Sequence, residues 1–203
     1  NWDATQDAHI EQVDSVTLRG YRFSNGWARG QRVFFCTRFS RPFDKMSLDT
    51  AAIMSEGKRT GTSVIARLDF KTEEGEQLVV STALSGVSME GAMRNLQAEM
   101  PDNDFDKCLA SARKDWDEQL GKIEIECGNR NEKVKFYTAL YHAMLAPTTY
   151  SDVDGAYYGP DKQVHRAEGW TNYSTFSLWD TFRAAHPLFT YVAPERVNDM
   201  VKS

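Results

Sequence analysis

The sequence predicts a β-sandwich followed by an α-helical domain. Three observations carry that reading. Segments with period-two alternation fill the first 87 residues; the period changes to helical spacing near residue 88; and the two kinds of segment do not interleave. Strands first and helices afterwards mean segregated layers, since a parallel sheet needs alternating βαβ units. The expected division is the end of a sandwich over residues 1–87, a helical connector over 88–128, and the start of a helical domain over 129–203.

The strands come first. Val16 to Phe23 alternates polar and apolar side chains, and Gln31 to Phe39 is rich in aromatic and β-branched residues. Ser63 to Phe70 and Glu76 to Leu84 repeat the pattern. Turn signals separate them at Ser24-Asn25-Gly26, Glu56-Gly57 and Glu73-Glu74-Gly75. Short strands with glycine-containing turns are the mark of antiparallel sheets. Pro42 suits a strand end, where its missing N–H is tolerated.

Helical signals follow. Ser88 is a candidate N-cap for a helix through Met100, ended by Pro101. Asp104 caps a second helix. There Phe105, Leu109, Ala112, Trp116 and Leu120 fall on one face and predict a buried stripe. Gly121 stops it, and a short strand over Lys122–Cys127 is expected. Asn129, with Glu132 three residues on, resembles a capping box for a third helix to Ala146. A hairpin is expected around Gly159-Pro160-Asp161-Lys162, where proline pre-sets φ at the second turn position. A helix beginning near Ser177 holds Trp179 to His186. Pro187 should kink or break it, and Pro194 suits the first turn of the next.

Composition narrows the function. The 203 residues are 41% hydrophobic and 26% charged, with a net charge of −5 and a pI near 5.4. Nucleic acid and anionic membrane surfaces need clustered positive charge, which is absent. No apolar run approaches the ~20 residues that span a bilayer. Cys36, Cys108 and Cys127 form no Cys-x-x-Cys pair, so free buried thiols are expected, with a single disulfide as the alternative. The four histidines lack zinc-site spacing, and no serine sits in a nucleophile elbow. Aromatics reach 12%, which a core uses and which sugar sites also need. The chain opens at Asn1 and stops at Ser203 in a helical pattern, so both ends are expected to be internal to a longer protein.

Several segments carry a resemblance. Thr175-Phe176-Ser177-Leu178-Trp179-Asp180-Thr181-Phe182-Arg183-Ala184-Ala185-His186-Pro187-Leu188 resembles a signature of glycoside hydrolase family 92. Phe136 to His142, Ser151-Asp152-Val153-Asp154-Gly155, and Pro194 to Val201 fit the same family in order. Gly26-Trp27 and Phe39 to Phe43 match more loosely. The resemblance implies an N-terminal sandwich and a C-terminal (α/α)6 barrel with the active site between them. It also implies inverting exo-α-mannosidase activity on mannose-containing glycans, a need for Ca²⁺, and a periplasmic or extracellular setting. The family's acid, base and calcium ligands match no position here, so no catalytic or metal-binding residue is assigned.

The candidate substrate-binding residues are Asp180, Trp179, Arg183 and Trp27. A carboxylate accepts hydrogen bonds from two sugar hydroxyls, and a neighbouring indole supplies a flat apolar wall. The resemblance places Asp180 at the distal hydroxyls of the terminal mannose, in the wall of a pocket for one sugar. Arg183 orients Asp180 or reaches the sugar; a plain helix-surface pair between the two is the bland alternative. Trp179 is either core or platform. Trp27 lies at a loop-to-strand boundary, where binding residues concentrate. Asp152 and Asp154 lack the further ligands of a calcium loop and read as a turn. Two other readings stand beside the enzyme: a non-catalytic carbohydrate-binding module, and a structural scaffold piece.

Overall fold

A computed structural model describes residues 4–50, 53–55, 58–61 and 63–203. Antiparallel strands come first and helices follow, as the change of period predicts. The strands are β1 (Ala4–Gln12), β2 (Thr17–Asn25), β3 (Gln31–Phe39), β4 (Lys45–Thr50), β5 (Ile53–Ser55), β6 (Lys58–Gly61), β7 (Val64–Asp69) and β8 (Val80–Ser85). Helices α1 (Met89–Glu99), α2 (Phe105–Leu120) and α3 (Arg130–Met144) come next. A hairpin of β9 (Ala156–Tyr158) and β10 (Val164–Arg166) precedes α4 (Leu178–Thr181), α5 (Ala185–Val192) and α6 (Pro194–Lys202). The chain divides into two compact units. One runs to Phe105 and takes back Asp152–His165; the other holds 106–151 and 166–203.

In the sheet unit, the described strands order as β5-β6-β1-β2-β3-β8, with β4 and β7 paired separately. β8 buries Ser81, Ala83 and Ser85 and exposes the residues between them. That is the alternation read from the sequence. The buried face is closed by α1. Its Met89, Ala92, Met93, Leu96 and Met100 recur at helical spacing and pack with Phe34, Cys36 and Ala83. Tyr21 and Phe23 stack at 4.5 Å beside this cluster. Ser88 caps α1 by accepting the Gly91 N–H at 2.9 Å, which satisfies one of the orphan donors of the first turn.

Several expectations need correction. β1 was not predicted, because its sequence is mostly polar. It nonetheless lies inside the sheet, between β6 and β2. Its buried His9 meets Glu11 at 3.0 Å, and Glu11 also accepts Arg19 Nε at 2.6 Å. Burial there rests on polar satisfaction, which apolar periodicity does not register. The strand expected from Glu76 starts only at Val80, since Glu76 closes a turn onto Glu73 O at 3.1 Å. The Glu56-Gly57 turn lies outside the described residues. Cys36 is buried as expected, but Cys108 and Cys127 are exposed, and all three are free. Burial pushes the Cys36 thiol above its ordinary pKa.

In the helical unit, Phe189, Val192, Ala193 and Met200 form the core, flanked by Ile123, Met144, Tyr173, Phe176, Leu188 and Val197. The stripe on α2 is a second correction: none of its residues is buried. Phe105 is 62% exposed, while Trp116 meets Tyr141 at 4.5 Å. Residues 122–127 form no strand, because no described strand pairs with them. Asn129 caps α3 through the Asn131 N–H at 2.9 Å, but Glu132 bonds Lys135 at 2.8 Å instead of reaching back. The helix expected over Trp179–His186 breaks at residues 182–184. Pro187 therefore falls in the first turn of α5, where a missing N–H leaves no helical carbonyl unserved. Pro194 opens α6 as expected.

Candidate functional site

Trp179 and Asp180 lie on α4, a single turn built from Ser177. The Asp180 and Thr181 N–H groups both donate to Ser177 O at 3.1 Å. Ser177 makes no side-chain cap. A turn this short gains little from propensity and holds its place through its neighbours. Trp179 is 81% exposed. Asp180 and Arg183 are exposed as well.

The alternative helix-surface pair of Asp180 with Arg183 is not made among the described residues. Arg183 turns its guanidinium over the Phe182 ring, 5.9 Å from the centroid. Asp180 has no ion-pair partner among the described residues, so both its oxygens are open to hydroxyl donors. The three candidates of the helical unit thus share one short exposed segment.

Beside α4 runs an apolar groove of about 690 Å³, lined by Phe176, Leu178, Phe182, His186, Phe189 and Met200 among others. Asp180 is not part of its wall. His186 packs edge-on to Phe176 at 4.7 Å, and its Nε2 is buried without a hydrogen-bond partner among the described residues.

Trp27 belongs to the sheet unit, in the loop between β2 and β3, and is 89% exposed. The loop is well built beneath it. Gly26 N–H donates to Ala28 O at 3.1 Å, and Asn25 Oδ1 accepts the Gly30 N–H at 2.7 Å. Gly30 has φ of +72°, a value glycine adopts without strain.

Asp152 is a residue whose role sequence reasoning missed. It is 5% exposed, accepts Ser85 Oγ at 2.7 Å and accepts Asn95 Nδ2 at 2.9 Å. Asp154 pairs instead with Arg94 at 3.1 Å. No group of three or more metal-ligand side chains gathers among the described residues. Asp152 commits its carboxylate to Ser85 and Asn95 and Asp154 pairs with Arg94, so no chemistry is routed through a metal here. Among the described residues no helix is long and apolar enough to cross a membrane.

An antiparallel sheet unit thus precedes a helical unit that exposes Trp179, Asp180 and Phe182 on one short segment. The comparisons name the class. The model of the glycosyl hydrolase family 92 N-terminal domain matches residues 1–85, and that of the family 92 catalytic domain matches residues 91–203. The chain belongs to glycosyl hydrolase family 92. Among solved structures it resembles the family GH92 α-mannosidase BT3965 from Bacteroides thetaiotaomicron, at 34% identity and a TM-score of 0.91 over 100% of this chain and 28% of that one. It also resembles the inverting mannosidase BT2199 from Bacteroides thetaiotaomicron VPI-5482, at 27% identity and a TM-score of 0.80 over 100% of this chain and 28% of that one. The glycosyl hydrolase ccman5 matches at 25% identity and a TM-score of 0.86, over 98% of this chain and 27% of that one. The chain thus spans little more than a quarter of the length of these relatives. No curated protein matches the sequence.

Proposed function

We propose that this chain is part of an inverting exo-α-mannosidase that releases terminal α-linked mannose from glycans. The observation that carries the reading is 34% identity to an α-mannosidase across the whole chain. Two further structures support it: the same relative solved with mannoimidazole, and another relative described as an inverting mannosidase.

Single displacement needs two carboxyl groups. One protonates the leaving oxygen, and the other activates water on the opposite face, about 6.5–9.5 Å away. Neither is assigned to this chain; the acid, the base and the calcium ligands belong to the remainder of the protein. This segment supplies binding. Asp180 accepts hydrogen bonds from the distal hydroxyls of the terminal mannose, and Trp179 offers its exposed ring face. Arg183 orients the same end of the sugar. Trp27 meets the leaving-group side. An indole left 81% exposed, beside a carboxylate with no ion-pair partner among the described residues, supports a binding role, since a buried ring or a surface ion pair would have used both.

The division into residues 1–87, 88–128 and 129–203, the last opening an (α/α)6 barrel, belongs to the same proposal. So does a periplasmic or extracellular location.

The test uses the full-length protein and an aryl α-mannoside. Mannose release with the β-anomer appearing first in the proton spectrum is expected, as is loss of turnover in chelator. Asp180→Ala should lower kcat/KM about a hundredfold or more while the circular dichroism spectrum is kept. Unchanged turnover in that variant would remove Asp180 from the site; α-anomer as first product would remove the inverting mechanism.

A further inference from the structure

The segment Asp152–His165 returns to the sheet unit after α2 and α3 have left it, and little of its hold is its own. β9 and β10 have three residues each, and an isolated two-stranded hairpin of that length is marginal in water. All three residues of β10 are exposed. Elsewhere in the segment Ala156 and Gly159 are buried, and polar and ring contacts add further points of attachment.

The buried polar point is Asp152. Its carboxylate takes Ser85 Oγ at 2.7 Å and Asn95 Nδ2 at 2.9 Å. Asn95 Oδ1 in turn accepts the Val153 N–H at 2.9 Å, and Asn95 Nδ2 also donates to Leu84 O at 2.8 Å. Ser85 Oγ accepts the Val87 and Ser88 N–H groups at 2.9 and 3.3 Å. One carboxylate thus joins the hairpin, the end of β8 and α1. Two outer points follow. Asp154 meets Arg94 in a partly exposed pair. Tyr158 covers the Arg32 guanidinium at 4.7 Å, which also sits 5.2 Å from the Phe23 and Phe34 rings.

We propose that Asp152–His165 is a strap latched by the Asp152 carboxylate, and that it opens as a unit while the six-stranded sheet stays folded. Segments with few buried contacts open below the global unfolding free energy. Here the buried Asp152 carboxylate is the polar anchor, while the exposed ion pair adds little. Opening would free Arg32 from Tyr158.

Asp152→Asn tests the latch with nearly unchanged shape. An amide retains one acceptor oxygen, so either Asn95 Nδ2 faces a second donor or the Ser85 hydroxyl proton loses its acceptor. Hydrogen exchange on the intact protein reads the result. The Val153 and Gly159 amides, the latter bonded to Gln163 O at 2.8 Å, should exchange about tenfold faster or more. The β2 and β3 amides should stay better protected than the strap amides in both proteins. Strap protection equal to that of β2 and β3 in the unsubstituted protein, or no acceleration in the strap of the variant, overturns the proposal. A second measurement needs no variant: in the unsubstituted protein, strap amides should exchange through an opening less dependent on urea than that of β2 and β3. Matching urea dependence overturns it as well.

Discussion

Replacing Gly91 by alanine should destabilise the sheet unit, although alanine is the better helix former. Gly91 is the third residue of α1. A Cβ there would overlap Asp152 Oδ2 and lie 2.7 Å from Ser85 Oγ and 3.3 Å from Asp152 Cγ. Helix propensity favours the change by at most ~1 kcal/mol. Overpacking a closed site costs about 1–3 kcal/mol. A displaced Asp152 carboxylate also loses a hydrogen bond to Ser85 or Asn95, worth about 1.5–3 kcal/mol for a charged acceptor. The cost outweighs the gain, and a net loss of about 2–4 kcal/mol is expected. Urea unfolding read from exchange protection of the β3 and β8 amides measures it. Gly128→Ala, where a Cβ meets nothing within 4 Å, serves as the control and should shift stability by less than about 0.5 kcal/mol. Equal stability of the Gly91→Ala variant and the parent would refute the crowding argument.

Two pH dependences follow from polar groups in the sheet. Burial raises the Glu11 pKa, but hydrogen bonds from His9 and Arg19 outweigh it and hold the carboxyl below its ordinary value. A depressed folded pKa contributes stability above the unfolded value, near 4.3, and loses it as pH falls through the folded one. Glu11→Gln should therefore be less stable at neutral pH and show a flatter acid limb in urea midpoints taken against pH. Tyr21 is pushed up to about 12 by burial and by the Asp7 carboxylate, which accepts its hydroxyl proton at 2.9 Å. The folded state keeps that proton longer, so this stability is present below pH ~10 and is lost as pH rises toward the folded value. Asp7→Asn should bring one tyrosinate absorbance step to lower pH without returning it to the ordinary value, since burial remains. A step unmoved by the substitution would exclude Asp7 as a cause.

Much of the architecture was legible because it follows local rules. Gln31–Phe39 is a strand with the limits its β-branched and aromatic residues imply. α1 begins at its serine cap and stops before Pro101. The segment around Trp179 and Asp180 carried the strongest part of the family resemblance, with Phe136 to His142, Ser151 to Gly155 and Pro194 to Val201 in order beside it. What periodicity missed was satisfied by polar pairing or depended on a partner. β1 is stabilised through His9, Glu11 and Arg19, and polarity hid it. The α2 stripe has helical spacing but buries nothing here, since spacing states what a face can bury and not what covers it.

By itself, the sequence determined the order of strands and helices, the caps that start α1 and α3, and the motif that places the chain among its relatives. These depend on residues within about four positions of one another, where backbone sterics and capping act. The tertiary structure decided the insertion of β1 between β2 and β6, the exposure of Trp179 and Asp180, and the burial of Asp152. That last residue reads locally as part of a turn. It becomes a buried anchor only because Ser85 and Asn95, 67 and 57 residues away, deliver donors to it. No local pattern encodes a hydrogen bond across such a separation; the folded chain alone brings those groups within reach.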